Sequence, residues 1–91
     1  MENLDTLREK IDKIDKEMIS LFEKRMYVAK QIGEYKIKNN LPVLNSKREE
    51  IVLENCANNL EDKNMEKYAK DFMKNVMEIS RDYQKNISKD N

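Results

Sequence analysis

The chain has 91 residues, and 18 Lys and Arg balance 18 Asp and Glu. With no net charge and no basic block, nothing here draws in nucleic acid or an anionic membrane surface, and no run approaches the roughly 18 apolar residues of a membrane span. There is no His, and Cys56 is the single cysteine. Ser–His–Asp and Cys–His nucleophiles are therefore excluded, a zinc site lacks its usual ligands, and no intrachain disulfide can form.

One Gly and one Pro among many Glu, Lys, Leu and Ile make a composition for long helices. Length argues for one domain spanning 1–91. MENLDTLREK carries acids and lacks an apolar run, so it does not read as a signal peptide. A cytoplasmic location is expected, without metal or cofactor.

The first helical pattern covers about residues 4–38. Asn3 or Asp5 can cap its start. Leu4, Leu7, Ile11, Ile14, Met18 and Leu21 recur at helical spacing on one face. Gly33 is the weak point, costing about 1 kcal/mol relative to Ala. Asn39-Asn40 before Leu41-Pro42 ends the helix, because the residue before Pro is steered away from helical geometry. Ser46 reads as the N-cap of a second helix, about 46–60, with Glu49 completing a capping box. Its apolar positions are Ile51, Val52, Cys56 and Leu60. After a turn at Glu61–Asn64, a third pattern, about 65–87, puts Met65, Tyr68, Ala69, Phe72, Val76, Ile79, Tyr83 and Ile87 on one face. The tail SKDN reads as frayed.

A first helix of about 34 residues is about 50 Å long. A compact chain of this size has a radius of gyration of about 12 Å. Two shorter helices cannot cover such a stripe, and a second copy packed antiparallel would. The expected architecture is all-α: three helices per chain in an intertwined homodimer, with a parallel coiled coil as the plainer alternative that leaves the later helices nowhere to dock.

Two charges fall on the apolar face of the first helix. Arg25 continues the row that ends at Leu21, and Lys36 continues the row through Phe22, Ala29 and Ile32. Either one alone reads as a stem on apolar surface with its head in water. Together they lie about three turns apart near the stripe centre, and both can reach a common point. They need anionic partners: Asp15, Glu49 or a ligand. Arg8 sits at the stripe edge, where an antiparallel copy could carry it to the partner's middle. Arg48 and Glu49 open the second helix, and Ser80 and Gln84 lie one turn apart on the third. Alone, Ser80 and Gln84 read as ordinary polar surface, and Arg48 and Glu49 as a solvated helix start with its capping box. The set describes a pocket of several cations, one carboxylate and one amide, suited to a small dicarboxylate held by arginine forks. Such a site works by positioning and electrostatics.

LREKIDKID near the start, Glu23-Lys24-Arg25 with Lys36, Leu41-Pro42-Val43, Arg48-Glu49, and Ser80 with Gln84 occur in an order and spacing that resemble the all-α (AroQ-class) chorismate mutases over about residues 4–86. The resemblance implies rearrangement of chorismate to prephenate by an intertwined dimer, on the route to phenylalanine and tyrosine. It implies that Arg25 binds one substrate carboxylate and the partner chain's Arg8 the other. Lys36 and Gln84 would donate to the ether oxygen, and Glu49 would accept from the ring hydroxyl. Arg48 and Ser80 would line the carboxylate and back wall. Asn45 stands where the family often carries Asp, so hydroxyl binding there would lack a charge, or Asn45 would serve only the turn. The alternatives are a non-enzymatic helical dimerisation or regulatory module, and an isochorismate-pyruvate lyase of the same fold.

Overall fold

A computed structural model describes residues 2–90, with side chains through Ile87. The helices are α1 (Leu4–Lys38), α2 (Ser46–Asn59) and α3 (Glu66–Asp90). A short 3-10 turn, Lys63–Met65, leads into α3. The backbone of Ser88–Asp90 continues α3, and Asn91 lies outside the described residues.

Asn3 caps α1: its Oδ1 accepts the Thr6 N–H at 2.9 Å. At the other end Asn40 takes φ 55°, a left-handed geometry that Asn tolerates better than most residues. The Leu41 N–H then reaches the Lys36 carbonyl at 2.8 Å, and the Asn40 N–H reaches that of Ile37 at 3.3 Å. This is a Schellman closure, which satisfies carbonyls the helix leaves free. Lys36 and Lys38 in the last turn suit the negative end of the helix dipole.

The cap of α2 is Asn45, not Ser46. Asn45 is extended, at φ −132° and ψ 92°, and its Oδ1 accepts the Arg48 N–H at 3.0 Å. Asn and Ser cap comparably well, so the extended backbone at Asn45 decides, and the helix starts one residue earlier than a Ser46 cap allows. No capping box forms, because the Glu49 carboxylate pairs with Arg81 instead. At its far end α2 has no basic residue in its last turn. Lys63, just beyond, donates to the Ala57 carbonyl at 2.7 Å.

α3 packs against both α1 and α2. Its buried positions are Val76, Met77, Ser80 and Gln84. Of the apolar face read from the sequence, Val76 is buried and Ala69, Tyr83 and Ile87 are half-buried, while Met65, Tyr68, Phe72 and Ile79 stay exposed in the single chain. α3 lies between α1 and α2 and turns the Met77–Ser80–Gln84 row toward them.

The molecule measures 56 × 27 × 14 Å, with a radius of gyration of 16.4 Å. That exceeds the roughly 12 Å of a compact chain this size. The extension is α1 itself. Its row Leu4, Leu7, Ile11, Ile14, Met18 and Leu21 is 45–62% exposed. Among the described residues, no helix is long and apolar enough to cross a membrane.

Candidate active site

Where the C-terminal half of α1 meets the start of α2 and the middle of α3, the chain forms a cavity of about 270 Å³ that is open to one side. That is near the lower bound of small-molecule pockets, about 300 Å³. Arg25 and Lys36 enter from α1, Asn45, Arg48 and Glu49 from the opening of α2, and Ser80, Arg81 and Gln84 from α3. Val28, Ala29 and Ile32 supply apolar wall between the two cations of α1.

Seven of the eight residues singled out in the sequence converge here. Arg8 does not. It lies 17 residues before Arg25, about 26 Å along the helix axis.

Local structure explains each placement. Arg25 is half-buried, and its Nη1 donates to Ser80 Oγ at 2.6 Å. Ser80 is buried, and its hydroxyl donates to the Val76 carbonyl at 3.0 Å. With its proton engaged inside α3, the hydroxyl oxygen is left to accept from the guanidinium. Lys36 Nζ donates to the Val43 carbonyl at 2.7 Å. The turn at Asn40 and Pro42 brings that carbonyl back over the last turn of α1.

Neither Arg25 nor Lys36 forms an ion pair among the described residues, so Asp15 and Glu49 are not their partners. Their hydrogen bonds go to a hydroxyl and a carbonyl. Both are oriented without being neutralised. Four cations and one carboxylate line the cavity, a formal excess of three positive charges on a chain whose net charge is zero.

Gln84 is 7% exposed, and its Oε1 has no hydrogen-bond partner among the described residues. Buried polar groups are seldom left so. Rotation of the carboxamide offers the cavity a donor or an acceptor.

Arg81 is the polar residue that the sequence reading missed. It pairs with Glu49, and both side chains are about a quarter exposed (27% and 26%). A faint signal exists: Arg81 lies one turn after Met77, on the row that faces the other helices.

Comparison with known proteins decides the family. Residues 7–85 match chorismate mutase type II. The chain belongs to this family. Among curated relatives of the chorismate mutase type II chain, a bifunctional chorismate mutase/prephenate dehydratase of Aquifex aeolicus is 46% identical over 54 residues. The T-protein of Haemophilus influenzae is 41% identical over 54 residues. Each match covers 59% of this chain but only 15% and 14% of the relative, so the chain spans about a seventh of their length. A solved structure, a conserved hypothetical protein from Pyrococcus furiosus, matches with a TM-score of 0.74 and 37% identity. That match covers 89% of this chain and 93% of the other. The three-helix fold and its long first helix are thus shared along nearly the whole length.

Proposed function

We propose that this chain converts chorismate to prephenate by an intramolecular Claisen rearrangement. The observation that carries the reading is the convergence of Arg25 and Lys36 on one cavity, each held by a neutral acceptor. Family membership and the relatives named for chorismate mutase support it.

The reaction needs no proton transfer. The ether C–O bond breaks as a new C–C bond forms in the same molecule. The protein must hold a flexible dianion in a chair-like conformer and place donors where charge grows on the ether oxygen. Arg25 binds one carboxylate, with Arg48 along the cavity wall. Lys36 and the Gln84 amide donate to the ether oxygen. Glu49 accepts from the ring hydroxyl, beside Asn45. Donors that gain strength as the bond breaks raise the rate, whereas donors that bind both states equally do not.

The second carboxylate takes Arg8 from another copy of this chain. The exposed stripe of α1 supports that partner: an antiparallel copy would cover Leu4 to Leu21 and carry Arg8 toward its partner's middle. The working form is therefore a homodimer with two sites, each built from both chains.

The test is to mix the purified protein with chorismate, follow ultraviolet absorbance and identify the product by chromatography. Arg25→Ala is the control. Prephenate formation that the substitution removes is the expected result. No turnover by a folded dimer defeats the proposal, and pyruvate release from isochorismate alone moves it to a lyase.

A further inference from the structure

We infer that Arg81 is a positioning residue, which holds the Glu49 carboxylate in place and keeps it from neutralising the cations meant for the substrate. The inference rests on the reading of the cavity as a chorismate site.

Among the described residues, Glu49 is the only carboxylate lining the cavity, and Arg25, Lys36 and Arg48 line it too. An acid on a flexible side chain in such company turns toward the nearest cation. Arg48 is its neighbour on the same helix turn. Yet Glu49 pairs with Arg81, which comes from α3 rather than from the carboxylate's own helix.

The placement follows a pattern along α3. Ser80 binds Arg25 of α1, and the next residue, Arg81, binds Glu49 of α2. Consecutive residues on one helix thus set a functional group on each of the other two. Gln84, one turn on, faces the cavity directly. α3 fixes the spacing between carboxylate-binding cation and hydroxyl-binding acid.

The charge arithmetic agrees. Arg81 and Glu49 cancel, which leaves Arg25, Lys36 and Arg48 uncommitted to any acid of this chain among the described residues. Without Arg81, Glu49 competes with the substrate's carboxylates for those cations. Arg81 therefore acts on binding and on the rate step, through Glu49.

The experiment measures kcat and KM for chorismate in the full chain and in Arg81→Met, Arg81→Lys, Glu49→Gln and the double variant Glu49→Gln/Arg81→Met. Circular dichroism melts accompany each. Arg81→Met is expected to lower kcat/KM about tenfold or more, since small misplacement in a site is costly. Arg81→Lys keeps the charge and recovers most of it. In the Glu49→Gln background, Arg81→Met has little further effect, because the group it acts through is gone. Prephenate affinity by calorimetry gives the same comparison if turnover is too slow in a variant. A full, additive loss in the Glu49→Gln background overturns the inference. So does a lowered melting temperature with kcat and KM unchanged. Failure of the unsubstituted chain to convert chorismate defeats the underlying reading instead, and the inference falls with it.

Discussion

Gly33 of α1 lies directly against Gln84 of α3. A Cβ at position 33 would stand 3.1 Å from Gln84 Cγ and 3.4 Å from its Cβ. Gly33 costs its helix about 1 kcal/mol relative to Ala, and in return α3 approaches closely enough to bury Gln84 at the cavity wall. Gly33→Ala sets these two effects against each other. The flexible Gln84 side chain yields by a few tenths of an ångström, so the fold survives and its melting temperature changes little. The carboxamide moves with it. We expect kcat/KM for chorismate to fall about tenfold, since positioning errors are amplified in rate. Melting curves and steady-state kinetics on the same sample check both halves.

Arg25 and Lys36 occupy slots that helical periodicity assigns to apolar residues. Their partners are a hydroxyl and a backbone carbonyl, not carboxylates. Replacing both with Leu removes no ion pair found among the described residues. Both side chains are half-buried, and an apolar replacement removes the cost of partly desolvating a charge that has no ionic partner. Arg25→Leu/Lys36→Leu is expected to melt at the same temperature or higher and to lose all measurable turnover. For Lys36→Ala alone, loss of a donor to developing charge is worth about 2.7–4 kcal/mol, or about 10²–10³ in kcat. A double variant that is both inactive and markedly less stable would argue that these charges serve the fold.

Much of this was legible in the sequence because the relevant signals are local. The end of α1 is marked by Asn39, Asn40 and Pro42, and the apolar row of α1 follows from spacing alone. Arg25 and Lys36 could be singled out because they break that row. What escaped depends on how helices pack. Whether Asn45 or Ser46 caps α2 turns on the backbone of the approaching chain, since both are good caps. The buried face of α3 is set by its position between two helices, which periodicity does not specify. Arg81 reads as one more surface charge in SRDYQ until α2 brings Glu49, 32 residues earlier, beside it. Arg8 was legible as an arginine at the stripe edge that could reach a partner copy, and within one chain it lies far from the cavity.

Asn40 shapes the site from outside it. Its left-handed conformation, φ 55°, lets Leu41 bond back to Lys36 and sends Val43 to the Lys36 ammonium. Ala in that conformation costs about 1–2 kcal/mol. Asn40→Ala should lose about that much stability in urea titrations, with unchanged m-value. Asn40→Gly should be neutral or slightly stabilising, since Gly adopts this geometry freely. KM should rise in Asn40→Ala as the hold on Lys36 loosens. Equal stability of the Ala and Gly variants would mean the turn tolerates another closure.

The two-chain site makes a prediction that a site within one chain cannot meet. Arg8→Ala and Arg25→Ala each remove one carboxylate anchor, so each homodimer is expected to be nearly inactive. Mixing them, with partial unfolding and refolding to exchange chains, makes heterodimers. In a heterodimer, one site takes Arg25 from the Arg8→Ala chain and Arg8 from the Arg25→Ala chain, and is intact. The other site lacks both. With random exchange, half of the dimers are mixed and half of their sites are whole, so about a quarter of the unsubstituted activity should return. Recovery should track the fraction of mixed dimers seen by native mass spectrometry. If mixing restores nothing although heterodimers form, Arg8 does not act across chains. If Arg8→Ala alone keeps full activity, the second carboxylate is held by a residue of the same chain, and Arg48, already at the cavity wall, is the first to test.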